Sequence, residues 1–63
     1  MGREGELTRK KILSLLVEWR DRRTIATMTG ESVGNVIHHL RILVCEGRVI
    51  WRKECRKKIY LAK

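Results

Sequence analysis

A mainly α domain closed by a C-terminal β-hairpin, an α+β arrangement of three helices plus one hairpin, is the fold class this sequence predicts. Three observations predict it. Apolar residues recur with helical spacing at Ile12, Leu15, Leu16 and Trp19. Two further helical segments flank a tight turn at Gly30-Glu31. After Gly47 the apolar period changes from about 3.6 to about 2, from helix to strand.

Sixty-three residues make a single domain over 1–63, with no internal repeat or linker. A chain this short buries a limited share of its surface and gains from a staple or a partner. Apolar residues reach 43%, enough for a folding chain rather than a disordered one. Phe is absent, so the core is expected to be aliphatic, with Trp19 and Trp51 as its two large pieces. Fifteen basic against seven acidic residues give a net charge of +8, and the natural partner of such a field is a polyanion. No apolar run is long enough to span a membrane, and the charged N-terminus has no signal core. A cytoplasmic protein with no membrane partner is expected, with Cys45 and Cys55 as free thiols and a disulfide as the alternative.

In chain order, residues 1–6 read as a flexible arm. Helix one is expected over 8–20, with Thr8 as its cap and Leu7 and Ile12 spaced as a hydrophobic staple. Ile12, Leu15, Leu16 and Trp19 form its core stripe, and Leu13 and Val17 a second, neighbouring stripe. Arg20, Arg22 and Arg23 crowd its C-terminal end, where cations are favoured. Residues 24–46 form a helix–turn–helix pair. Thr24 caps helix two, Ser32 caps helix three, and Gly47 ends it in the left-handed conformation that glycine adopts most cheaply. On helix three, Val33, Val36, Ile37, Leu40, Leu43 and Val44 share one face, while Gly34, Asn35, His38, Arg41, Ile42 and Cys45 fall opposite. A hairpin over 48–62 follows. Val49 and Trp51 alternate with Arg48, Ile50 and Arg52, and Ile59 and Leu61 with Lys58, Tyr60 and Ala62, around a tip that no Asn-Gly or Asp-Gly marks.

The order helix, helix–turn–helix, basic hairpin resembles the winged helix-turn-helix family of small bacterial and archaeal transcription regulators. The residues that carry the resemblance are Ile25-Ala26, Gly30, Ser32, Val36, Leu40, Leu43 and Gly47-Arg48-Val49, and it covers residues 7–62. Thr29 and Glu31 depart from it, standing where many members have apolar residues, and so does Ile42, apolar where a charge is common. The resemblance implies double-stranded DNA as the partner, a homodimer on two-fold operators, helix three in the major groove and a wing on the backbone. Its recognition-helix candidates are Ser32, Gly34, Asn35, His38 and Arg41; Asn35 can bridge adenine and Arg41 guanine. The wing candidates are Arg52, Lys53, Arg56, Lys57 and Lys58, which suit phosphates. Leu13 and Val17, left over by one domain's core, are the expected dimer interface.

Other chemistries find little support. His38, His39, Cys45 and Cys55 lack a metal-ligand spacing, so no metal and no cofactor is expected. No nucleophile motif, phosphate loop or His–carboxylate pairing points to an enzyme. Binding of Z-form nucleic acid, another winged-helix activity, would want Asn and Tyr where Ile37 and Arg41 stand. The alternative function is a winged-helix module for protein contacts or RNA, since one fold serves several uses.

Overall fold

The structure, a computed structural model, describes the backbone of residues 2–63 and the side chains of residues 7–63. Met1, in the expected arm, lies outside it. Three helices and a three-stranded antiparallel sheet follow in the order α1 (Gly2–Leu15), β1 (Arg20–Asp21), α2 (Arg22–Thr29), α3 (Val33–Cys45), β2 (Val49–Glu54) and β3 (Lys57–Ala62). The sheet order is β1-β3-β2. This is the predicted class, with the hairpin widened by the short strand β1.

The first helix is displaced from its expected position. It occupies residues 2–15 rather than 8–20, so residues 2–6 are helix and not arm, and Thr8 lies inside rather than at the cap. Its end is decided by residues far along the chain. The Arg20 side chain donates from Nε to the Leu15 carbonyl at 2.7 Å, and the Ala62 N–H takes the Leu16 carbonyl at 3.0 Å. Those two bonds satisfy carbonyls that a longer helix would have used. The chain is thereby free to run extended into β1, where Arg20 pairs with Tyr60 and Asp21 with Ile59.

Helix α2 also starts early. Its cap is Asp21, extended in backbone, whose carboxylate accepts the Thr24 N–H at 3.1 Å. Thr24 is therefore in the first turn and is not the cap. Arg22 and Arg23 open this helix instead of closing the first one. Gly30, at φ 75°, ends α2 and returns its N–H to the Ala26 carbonyl. The departures at Thr29 and Glu31 cost the pair little. The half-buried Thr29 hydroxyl donates to the Ile25 carbonyl at 2.8 Å, so no polar group is stranded.

Helix α3 follows its sequence signals closely. Ser32 accepts the Asn35 N–H at 3.2 Å as the cap. At the far end Arg48 N–H reaches the Leu43 carbonyl and Gly47 N–H the Val44 carbonyl, with Gly47 at φ 74°. That pair of bonds is the Schellman arrangement, which needs a left-handed residue at Gly47.

The core is formed by Ile12 and Leu16, Ile25 and Ala26, Val36, Leu40 and Leu43, and Val49 and Tyr60. Leu13 packs partly buried against it, so the expected second stripe of α1 does not stand free. Val17 is 75% exposed, in the turn after α1. Neither tryptophan is a core piece. Trp51 is 46% exposed and Trp19 half-buried, while Tyr60 takes the large buried place. The turn of the hairpin decides which face each side chain of β3 takes. Glu54 pairs with Lys57 across a two-residue connection, and Val49 with Ala62. That register turns Val49, Tyr60 and Ala62 toward the helices and sends Ile50, Ile59 and Leu61 to the outer face.

Candidate nucleic-acid interface

The outward side of α3 is built from the cap forward. Ser32 and Gly34 are exposed in its first turn, His38 one turn on, and Arg41 at its centre. Glycine at position 34 leaves open space: a Cβ there would meet nothing within 4 Å. Asn35 is only partly exposed, and its Nδ2 donates to the Glu31 carboxylate. Its amide is thus half-committed inside the protein, a constraint that its type and position alone do not reveal. His39 is buried to 7% exposure and stacks edge-on with His38, ring centres 5.5 Å apart. Burial holds its imidazole below the usual pKa, with the charges of His38 and Arg9 adding to the effect. A neutral His39 belongs to the packing of α3, and the exposed His38 is the ring available to a ligand.

The five wing candidates separate into two groups. Arg52 lies on the outer sheet face, with its guanidinium carbon 4.5 Å from the centre of the Trp19 ring and a 2.9 Å ion pair to Glu54. Both interactions engage its charge, so Arg52 is a poorer phosphate ligand than its neighbours. Lys53 and Lys58 stand opposite each other across the hairpin, and the Lys58 ammonium lies 4.6 Å from the centre of the Trp51 ring. Arg56 sits at the tip with φ 67° beside Cys55 at φ 50°. Two left-handed residues in a two-residue turn are what a type I′ hairpin demands.

Arg56, Lys57 and Lys58 meet cations from another element. Together with Asp21, Arg22 and Arg23 they line a cleft of about 240 Å³ between the start of α2 and the wing. The Asp21 carboxyl is held below its usual pKa, first by the Thr24 hydrogen bond and also by the charge of Lys57. Arg22 and Arg23 were legible as basic residues, but not as partners of the wing. Their signal is their place in the first turn of a helix, where positive charge is disfavoured.

Cys45 and Cys55 are both free and exposed. Among the described residues no group of three His, Cys, Asp or Glu is arranged to hold a metal ion. No helix of the described residues is long and apolar enough to cross a membrane.

No protein-family model and no curated protein matches the chain. A solved structure is similar to it. That structure is the homodimeric winged helix-turn-helix DNA-binding domain, fragment 1–100, of a possible ArsR-family transcriptional regulator from Mycobacterium bovis. The match has 32% sequence identity and a TM-score of 0.83. It covers 87% of this chain and 52% of the other, so the chain spans about half the length of its neighbour. Helix order, sheet topology and this likeness together establish that the chain has the winged helix-turn-helix fold.

Proposed function

We propose that the chain binds double-stranded DNA sequence-specifically, as a homodimer, and acts as a transcription regulator inside the cell. Helix α3 enters the major groove and the wing lies on the backbone. One observation carries the reading: α3 exposes Ser32, Gly34, His38 and Arg41, Arg41 lines one groove with Trp51 and Lys58 of the wing, and the wing cations Lys53, Arg56 and Lys57 have no carboxylate within ion-pairing distance among the described residues. A polar, small-residue helix face reads base edges, and unpaired cations near it neutralise phosphates. The neighbouring domain's DNA binding and homodimeric state support the same reading. In this reading the protein is a binding module without catalytic chemistry. Leu13 and Val17 divide in their roles: Leu13 belongs to the domain's own packing, and Val17 is the residue free to meet a second copy.

Selection of bound duplexes from a random pool, followed by affinity measurement over a salt series, tests the proposal. A single enriched motif and a steep salt dependence are expected. Weak, sequence-blind binding to every duplex ends it. An unpaired RNA competitor of equal length is included, because the exposed Trp51 offers a ring on which a base could stack. Preference for that competitor over the selected duplex also overturns the reading.

A further inference from the structure

The cleft between α2 and the wing gathers more positive charge than either element carries alone. Arg22 and Arg23 come from the first turn of α2, and Arg56, Lys57 and Lys58 from the wing. A single carboxylate, Asp21, shares the cleft with these residues, of which Lys58 turns its ammonium over the Trp51 ring at 4.6 Å. Asp21 is already engaged, since it accepts the Thr24 N–H as the helix cap. None of the five cations has a carboxylate within ion-pairing distance among the described residues. The acids that do pair, Glu18, Glu46 and Glu54, pair with Arg20, Arg48 and Arg52, all outside the cleft.

Such an arrangement works against folding in the absence of an anion. Like charges converge from two elements, and two of them sit at the helix end that disfavours cations. The conflict is local, a single carboxylate, Asp21, offsets it only in part through Lys57, and it surrounds a cavity. Conflicts of that kind concentrate at functional sites. The cleft is about 240 Å³, room for a tetrahedral oxyanion or a linked pair with water. Arginine forks from α2 can take two oxygens of one phosphoryl group, while Lys57 acts as a point charge.

We propose that this cleft is a phosphate-binding site, formed jointly by Arg22 and Arg23 of α2 and Arg56 and Lys57 of the wing. Its ligand is a phosphoryl group, presented either by a nucleic-acid backbone or by a free polyphosphate. Occupancy ties α2 to the wing through the anion and relieves the repulsion between them.

Two measurements on the full chain test it. In the first, inorganic pyrophosphate is titrated into isotope-labelled protein and followed by amide resonances, with sodium chloride of matched ionic strength as control. Saturable shifts confined to residues 21–24 and 56–58 are expected. They are lost in Arg22→Gln/Arg23→Gln and separately in Arg56→Gln/Lys57→Gln, each checked for a folded spectrum. In the second, duplex affinity is measured over a salt series for the wild type and for Arg22→Gln/Arg23→Gln. This arm alone rests on the DNA reading above. A salt slope lower by about one for each phosphate the variant no longer neutralises identifies the backbone as the source. An unchanged slope with the pyrophosphate shifts intact identifies a free polyphosphate. A wild type that binds no duplex but still binds pyrophosphate removes the DNA reading and keeps the site. Shifts no different from the chloride control, together with an unchanged slope in the variant, overturn the proposal.

Discussion

The guanidinium of Arg52 lies over the Trp19 ring at 4.5 Å and is held at its other side by Glu54 at 2.9 Å. This relationship joins the loop before β1 to the far strand of the sheet across the outer face. It removes Arg52 from the set of free wing cations. Arg52→Ala is expected to cost about 0.5–1 kcal/mol of stability, because the ring then has no cation over it. The salt slope of duplex binding should change little. The triple change Arg56→Ala, Lys57→Ala and Lys58→Ala should do the reverse, flattening the slope and weakening all duplexes alike. Denaturant melts and a salt series on the two variants separate them. A flattened slope in Arg52→Ala would return this residue to the phosphate ligands.

Asn35 is the base-reading candidate with the most to lose, because its Nδ2 is bound to Glu31. A bidentate contact to adenine needs both the amide nitrogen and oxygen. The second N–H of Nδ2 can serve the base while Glu31 holds the first and fixes the rotamer. Asn35→Ala is expected to cost about 1–3 kcal/mol on the selected site and little on random DNA. Glu31→Ala removes a carboxylate next to the expected groove and frees the amide. It should tighten binding to random duplex and reduce discrimination. Affinities of both variants on both duplexes check the pair; equal loss on both by Asn35→Ala makes it a backbone contact.

The wing tip places Cys55 and Arg56 at positive φ where a type I′ turn prefers Asn-Gly. A left-handed conformation costs a side-chain-bearing residue roughly 1–2 kcal/mol. Arg56→Gly should therefore raise stability, by about 1 kcal/mol. The same change removes a cation from the wing and should weaken duplex binding. Thermal unfolding together with a binding titration detects the trade. A variant that is less stable than the wild type would show that the Arg56 side chain contributes packing that outweighs its strain.

Much of α3 could be read in advance because its boundaries are made by local chemistry. Ser32 bonds three residues on, and Gly47 closes its own Schellman turn. What escaped the sequence was set by distant partners. The end of α1 depends on Arg20 and Ala62, and Asp21 becomes a cap only because β1 pairs with β3. The side on which Tyr60 and Ile59 lie follows from a two-residue turn with no diagnostic residues. One residue more or less at that tip would have reversed every side chain of β3. The cleft was invisible for the same reason, since Arg22 and Lys57 are brought together only by the β1–β3 register.

Of the two residues expected at a dimer interface, Leu13 and Val17, only Val17 stands free of the domain's own core. Leu13 packs against the domain's own core, so Leu13→Glu buries a charge and should unfold the chain. Val17 is 75% exposed, and Val17→Glu leaves the fold intact. If two copies meet around Val17, sedimentation at tens of micromolar should show a wild-type dimer and a folded Val17→Glu monomer. A Val17→Glu protein that still sediments as a dimer moves the interface elsewhere, and a monomeric wild type removes it.

His39 supplies a pH dependence whose sign follows from its burial. It is 7% exposed, and its Nδ1 has no hydrogen-bond partner among the described residues. Burial is the main cause of its lowered pKa, and the neighbouring charges of His38 and Arg9 push the same way, against a smaller opposite effect of Glu31. In the unfolded chain the ring titrates at its ordinary value of 6.5. Between that value and the lower folded pKa, the unfolded state binds more protons than the folded one. Stability therefore rises with pH across this window and falls as the solution is acidified through 6.5. His39→Leu replaces the ring with an apolar side chain and strands no polar atom. In the variant, the midpoint of urea unfolding should lose most of its slope between pH 7 and pH 5, leaving only the part due to other groups. An equally steep loss in His39→Leu would assign the acid sensitivity to groups other than this ring.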